Sequence, residues 1–235
     1  HMSKKIVLAS GSPRRKTLLE WAEVSFDVIV KPTNESYPGG LAIEEVPVHI
    51  ARQKALAVAA DLSGNELIIA ADTIVVLGSE IIGKPTSREN AIEILSKLAG
   101  QTHRVITGVV LMEGAIEKSF SDSTTVHFHD LTSQQIEFYV DKYKPYDKAG
   151  AYAIQEWIGV VGIKSINGDF YNVMGLPVSK VVQALNAYRF QKSAAVSRDI
   201  SAVVGPTVGV KSDYGTPLLS FDIKSFNDDD SATNK

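Results

Sequence analysis

Residues 67–82 read Leu67-Ile68-Ile69-Ala70-Ala71-Asp72-Thr73-Ile74-Val75-Val76-Leu77-Gly78-Ser79-Glu80-Ile81-Ile82. Two β-branched runs, Leu67 to Ala71 and Ile74 to Leu77, predict strand, and Gly78-Ser79 predicts a tight turn that returns through Ile81-Ile82. Asp72-Thr73 is expected to interrupt the strand. A carboxylate in the most apolar stretch of the chain is costly unless a cation compensates it. Lys54 or Lys84 could do so as an ion pair, or a divalent metal could, held jointly with Glu35. The alternative is an Asp that only caps a strand end beside the Gly78 hairpin.

Toward the amino terminus, Ile50, Leu56, Ala57 and Ala60 mark a helix from about Val48 to Leu62, with Arg52 and Lys54 among its polar residues. A polar loop from Lys31 to Gly40 precedes it, and Phe26 to Val30 reads as a strand. The run Ile6-Val7-Leu8-Ala9, the turn Ser10-Gly11-Ser12-Pro13 and the helical spacing of Leu18, Leu19 and Ala22 predict strand, turn and helix. Toward the carboxyl terminus, Thr86-Ser87-Arg88-Glu89 has capping-box spacing before Ile92, Leu95 and Leu98, and Gly100 is a stop. Two long strands about Glu113-Gly114 are expected between His103 and Phe128. Thr132 opens a helix through Ile136 and Tyr139, and Gly150 to Met174 reads as irregular chain and strand with a turn at Asn167-Gly168. Pro177 begins a last helix through Val181, Val182 and Leu185. Crossover helices together with hairpins predict an α/β fold with a mixed sheet flanked by helices.

The 235 residues carry 24 Lys+Arg against 27 Asp+Glu, a net charge of −3, so no broad field attracts a nucleic-acid backbone or an anionic membrane. A 44% hydrophobic and 22% charged composition excludes wholesale disorder and a collagen-like fibre. Without cysteine, thiolate nucleophiles, disulfides and Cys-held metals are excluded. No apolar run approaches the ~20 residues of a membrane helix. The start His1-Met2-Ser3-Lys4-Lys5 lacks the apolar stretch of a signal peptide, so a cytoplasmic protein is expected. Past Tyr188 the apolar periodicity fades, which predicts a domain over 3–188 and a flexible or peripheral extension over 189–235.

Ser10-Gly11-Ser12-Pro13-Arg14-Arg15 puts two hydroxyls and two guanidiniums at a strand-to-helix turn, where backbone N–H groups and the helix dipole favour an anion such as phosphate. The bland alternative is a Ser/Pro helix start with Arg15 and Lys16 solvated. The turn matches neither Walker A nor the dinucleotide fingerprint. Gly83-Lys84-Pro85 offers a point charge on a fixed loop. His127-Phe128-His129 could share a metal, but a hydrated strand face is the expectation because no third ligand is near in sequence. Trp21 and Trp157 are read as core or interface aromatics.

Taken in order, Leu8-Ala9-Ser10-Gly11-Ser12-Pro13-Arg14-Arg15, Glu35, Arg52-Gln53-Lys54, Ala71-Asp72-Thr73, Gly83-Lys84-Pro85, Thr107-Gly108 and Asp147-Lys148-Ala149-Gly150-Ala151-Tyr152 resemble the Maf family of nucleoside triphosphate pyrophosphatases over residues 5 to 188. The resemblance implies an inosine-triphosphatase-like fold of the Maf and Ham1 type, an elongated mixed β-sheet flanked by helices around a central cleft, in a homodimer. It implies hydrolysis of a nucleoside triphosphate to the monophosphate and pyrophosphate, with a divalent cation, Mg²⁺ or Mn²⁺, as cofactor. Asp72, Glu35, Lys54 and Lys84 become catalytic candidates, with Asp72 and Glu35 as metal ligands whose roles of base and ligand could be exchanged. Ser10, Ser12, Arg14, Arg15, Thr73 and Gln155 become substrate-binding candidates. Arg14, Thr73 and Gln155 match positions associated with the branch similar to dTTP/UTP pyrophosphatases, and CTP or a modified pyrimidine nucleotide falls in the same reach. The branch that prefers 7-methyl-GTP is expected to carry an acidic residue in place of Gln155, whose amide suits the O4/N3–H edge of thymine or uracil. The segment departs from the commoner family pattern at Ala153 and Glu156-Trp157. The alternatives are the same chemistry on 7-methyl-GTP or another modified nucleotide, and a non-catalytic nucleotide-binding regulator of cell division.

Overall fold

The computed structural model describes residues 4–188, and the extension expected at 189–235 lies outside the described residues. Leu67–Leu77 forms one uninterrupted strand, β3. The expected break at Asp72-Thr73 is absent, because the neighbouring strand supplies partners to both residues: Asp72 pairs with Gly108 and Thr73 with Thr107. The two-residue period of the strand then sends Ile68, Ala70, Asp72, Ile74 and Val76 to one face and Leu67, Ile69, Ala71, Thr73 and Val75 to the other.

Around β3 lie β1 (Ile6–Leu8), β2 (Asp27–Val28), β4 (Glu80–Ile82), β5 (Thr102–Glu113), β6 (Ile116–Phe128) and β7 (Ile163–Asn167). They form one seven-stranded mixed sheet in the order β2-β1-β3-β5-β6-β7, with β4 also paired to β3. β2 is shorter than the expected Phe26–Val30 strand because its partner β1 offers three residues only. The β5–β6 turn is Gly114-Ala115, one residue later than expected, since Glu113 still pairs with Ile116.

Helix α1 (Pro13–Trp21) follows β1, and α2 (Glu45–Ala59) leads into β3. α2 starts three residues before the expected Val48, because Pro47 falls in the first turn, where no intrahelical N–H bond is lost. It ends before Leu62, since the Asp61 and Leu62 N–H groups bond to Val58 and Ala59 in a tightened last turn. α3 (Arg88–Leu98) is capped by Ser87, whose hydroxyl accepts the Asn90 N–H at 3.1 Å, so the expected Thr86 cap is shifted by one residue. α4 (Ser133–Tyr143) carries the capping box of Thr132 and Gln135. The segment expected to be irregular contains two short helices, α5 (Trp157–Gly162) and α6 (Phe170–Met174), and residues 178–188 are helical.

On one face of the sheet, Ala51, Ala55 and Val58 of α2 pack on Val7, Ile68, Ala70 and Val110. Gly108 makes that approach possible: a Cβ there would lie 2.2 Å from the Val48 nitrogen and 2.4 Å from the Pro47 carbonyl carbon. On the other face, Leu18, Leu19, Leu95, Leu98, Tyr139, Val140, Val181 and Leu185 join the larger core. Along one edge of β3, β1 runs parallel to Leu67–Ile69 and β4 antiparallel to Val75–Leu77. Residues 70–74 therefore have no strand on that edge among the described residues. The chain leaves β1 there and turns into α1, which opens a crevice at the carboxyl end of a parallel strand. No helix among the described residues is long and apolar enough to cross a membrane.

Candidate active site

The crevice holds a cavity of about 500 Å³ lined by parts of the Ser10–Arg15 turn, the loop from Val30 to Glu35, Lys54, Asp72, Thr73, Lys84, the segment from Asp147 to Gln155, and Val173 to Gly175. Every site residue expected from the sequence, Ser10, Ser12, Arg14, Arg15, Glu35, Lys54, Asp72, Thr73, Lys84 and Gln155, lines this one cavity.

Its floor is a cation between two anions. Lys54 Nζ lies 2.7 Å from Asp72 Oδ1 and 3.0 Å from Glu35 Oε1. The geometry follows from the elements. Asp72 sits on the β3 face that α2 covers, and Lys54 leaves α2 one turn beyond Ile50, above it. Its neighbours fan away from the cavity, with Arg52 bidentate to Glu117 on β6 and Gln53 Nε2 donating to Ser36 O at 3.0 Å. The Gln53 contact anchors the loop that carries Glu35. The ion pair compensates Asp72, only 13% exposed, which is the compensation expected of a carboxylate in an apolar strand. Burial opposes ionisation of Glu35, but the hydrogen bond and charge of Lys54, with Lys84 and Arg15 behind them, outweigh it and hold its carboxyl below the usual range.

One wall is tied together by Arg15. Its Nε donates to Gly175 O at 2.7 Å, one terminal nitrogen to Ser10 Oγ at 3.2 Å and the other to Thr73 Oγ1 at 2.9 Å. Burial lowers its pKa, and the charge of Asp72 opposes that shift. Gly175, at φ 121°, is the residue that can turn its carbonyl toward both Arg15 and Thr73. Thr73 faces away from Asp72 and shares a 2.8 Å hydrogen bond with the buried Thr107 hydroxyl, which donates onward to Asn172 O. The Thr107-Gly108 pair is thus architectural on both sides of β5. At the turn itself, Ser10 Oγ accepts the Ser12 N–H and Ser12 Oγ accepts the Arg15 N–H. Two of the N–H groups expected to meet an anion are therefore satisfied internally, and Arg14, whose Nε reaches Met174 O at 3.2 Å, is the more available guanidinium.

At the far end, Gln155 lies exposed at the rim. Behind it, the Ala153 N–H donates to the buried Tyr139 hydroxyl at 3.1 Å. Sequence reasoning missed Tyr139, Asn172 and the Met174-Gly175 carbonyls. The buried Asn172 donates to Val105 O, Asp122 O and Thr124 Oγ1 and so locks α6 onto the sheet. Polar residues beside a short apolar run were its sole trace in the sequence. Trp21 and Trp157 stay out of the cavity and meet Tyr171 and Phe138 edge-to-face. His127 Nδ1 is bonded to Thr102, and no group of three or more His, Asp or Glu that could hold a metal occurs among the described residues. The oxygen-only pair Asp72 and Glu35, converging on one ammonium, fits a cation that takes its other ligands from phosphate and water, as Mg²⁺ and Mn²⁺ do.

A family model described as "Maf-like protein" matches residues 5–188. A protein of Cytophaga hutchinsonii named dTTP/UTP pyrophosphatase is 53% identical over 77% of this chain and 82% of its own length. One of Bacteroides thetaiotaomicron with the same name is 49% identical over 75% of this chain and 92% of its own. Among solved structures, a Staphylococcus aureus Ham1 protein aligns over 54% of this chain and 73% of its own with 20% identity and a TM-score of 0.38.

Proposed function

The chain belongs to the Maf-like protein family, and from that premise we propose that it hydrolyses dTTP and UTP to the nucleoside monophosphate and pyrophosphate. The observation that carries the reading is the Lys54 ammonium held between Asp72 and Glu35 on the floor of a cavity whose wall is the Ser10–Arg15 turn. Anionic and cationic groups alternate there over one ion-pair length, as an attacking water and a triphosphate together require. Relatives near 50% identity that carry the dTTP/UTP name support the base assignment.

Water attacks the α-phosphorus, and pyrophosphate leaves. A carboxylate of pKa ~3.9 facing bulk water at ~15.7 is mismatched by ~12 units, or ~16 kcal/mol, so Asp72 cannot act alone. A divalent ion, which Asp72 and Glu35 would hold, would narrow that gap by acidifying a bound water and neutralising the triphosphate. The protein's part follows from its rigidity. Asp72, fixed on β3, orients the water and accepts its proton through the oxygen that Lys54 does not engage, while Glu35, on its Gln53-anchored loop, serves as ligand. Lys84 and Arg14 clamp the phosphates, with the Ser12 and Ser10 hydroxyls beside them. Arg15 and Thr73 hold that wall in shape, and the Gln155 amide meets the pyrimidine edge at the rim. The absence of cysteine suits a cytoplasmic enzyme.

The test is pyrophosphate release from dTTP, UTP, CTP, dATP, GTP and 7-methyl-GTP, each with Mg²⁺, Mn²⁺ or chelator. Metal-dependent turnover concentrated on dTTP and UTP is expected. Turnover concentrated on 7-methyl-GTP would overturn the base assignment, and tight nucleotide binding without pyrophosphate release would overturn the enzymatic one.

A further inference from the structure

Lys148 lines the same cavity as Gln155 but has no part in the chemistry above. Its ammonium is held by two carboxylates: Nζ donates to Asp147 Oδ1, also in the lining, at 2.9 Å and lies 3.6 Å from Glu156 Oε1, with the side chain 11% exposed. Glu156 is not part of the cavity lining. Its other oxygen accepts the Tyr139 hydroxyl at 2.5 Å, and that hydroxyl accepts the Ala153 N–H at 3.1 Å. One chain of contacts thus runs from the backbone beside Gln155 through Tyr139 and Glu156 to Lys148. Burial and the Glu156 contact both push the Tyr139 pKa up, so its hydroxyl is a fixed neutral bridge.

The amide of Gln155 cannot choose its base unaided. Turned one way it complements the O4 acceptor and N3–H donor of uracil or thymine; flipped, it complements the N4 amino group and N3 acceptor of cytosine. An ammonium has donors and no acceptor, so it favours a carbonyl at the 4-position and opposes an amino group. Lys148 has a donor to spare once Asp147 and Glu156 have taken theirs. We infer that Lys148 is the specificity-determining residue that selects a 4-carbonyl over a 4-amino pyrimidine, with Glu156 and Tyr139 as the positioning residues that aim it. The inference rests on the pyrimidine reading of the preceding subsection.

The experiment measures kcat/KM of the full chain for UTP, CTP and 4-thio-UTP, an analogue that keeps the N3–H but carries a weakly accepting sulfur at the 4-position, in wild type, Lys148→Met and Glu156→Gln. For Lys148→Met, kcat/KM for UTP should fall ~10-fold or more, the yield of a hydrogen bond to a charged group, mainly through KM, while that for CTP changes little. Glu156→Gln should move the UTP to CTP ratio the same way by a smaller factor. On wild type the analogue should fall below UTP toward the value of UTP on Lys148→Met, and the substitution should change the analogue little. A fall by one common factor for all three substrates would overturn the inference, because a structural or phosphate-binding lysine acts on each alike. The analogue on wild type answers even if a variant does not fold, since turnover equal to that of UTP would also overturn it. Wild-type enzyme that turns over no pyrimidine triphosphate would overturn the reading beneath it, whereas normal pyrimidine turnover with an unmoved ratio would overturn this inference alone.

Discussion

The two ends of the cavity, the proposed phosphate end and the proposed base end, are built on different principles. At the phosphate end, the functional groups are charged, and the more sheltered ones are pinned by opposite charges or a network: Lys54 between Asp72 and Glu35, and Arg15 among Ser10, Thr73 and Gly175. At the base end, the group at the rim is a neutral amide on an exposed residue, and the order comes from one layer back, where Tyr139 grips the Ala153 N–H. Removing a partner from a buried charge is costly, whereas a neutral group at a rim can change without disturbing its neighbours.

The comparison breaks first at its charged end. Lys54→Met leaves Asp72 and Glu35 facing each other without their cation, and kcat for UTP should fall by ~10²–10³, the scale for losing one preorganised electrostatic partner. The same variant checks a pH effect. The Glu35 pKa is depressed, so its contribution to stability and its ionised form are present above the unfolded value and lost only as pH falls through the lower folded one. The acid limb of the kcat/KM profile should therefore move to higher pH in Lys54→Met, and an unmoved limb would detach Glu35 from Lys54.

Next is the wall. Thr73→Val removes the acceptor of an Arg15 terminal nitrogen and should cost ~1–3 kcal/mol in denaturant melts, with a raised KM, because a buried donor is left unpaired. A comparable loss is expected on acidification from His103, whose burial lowers its pKa to about 4 from 6.5. The unfolded chain takes the proton as pH falls below about 6.5 and the folded one only near 4, so stability drops across that window by up to ~3 kcal/mol. His103→Gln should flatten the drop; an equally steep one in that variant would place its origin elsewhere. Least of all should move with Arg88→Ala: its pair with Asp141 is at the surface, and neither melting temperature nor turnover should change measurably.

Most of the phosphate end was legible because its chemistry is written locally. The Ser10 to Arg15 turn, a carboxylate in an apolar strand and a helix lysine declare themselves by residue type and spacing. The continuity of β3 through Asp72-Thr73 was not legible, since the partners that make it possible, Thr107 and Gly108, lie more than thirty residues away and pair through backbone register. Nor were the roles of Arg15 and Arg14 separable, as the adjacent guanidiniums are told apart by partners far along the chain, Thr73 and Gly175 for Arg15 and Met174 for Arg14. The base end hides for the same reason: Tyr139 looks like one more apolar position of α4 until the fold brings Ala153 against its hydroxyl.

The central claim, that the Asp72 end of this cavity directs water to the α-phosphorus, is tested most directly by hydrolysing UTP in heavy-oxygen water and asking which product carries the label. Label is expected in UMP and none in pyrophosphate, with both products lost in Asp72→Asn while that variant remains folded. Label in pyrophosphate or inorganic phosphate, or full turnover by Asp72→Asn, would contradict it.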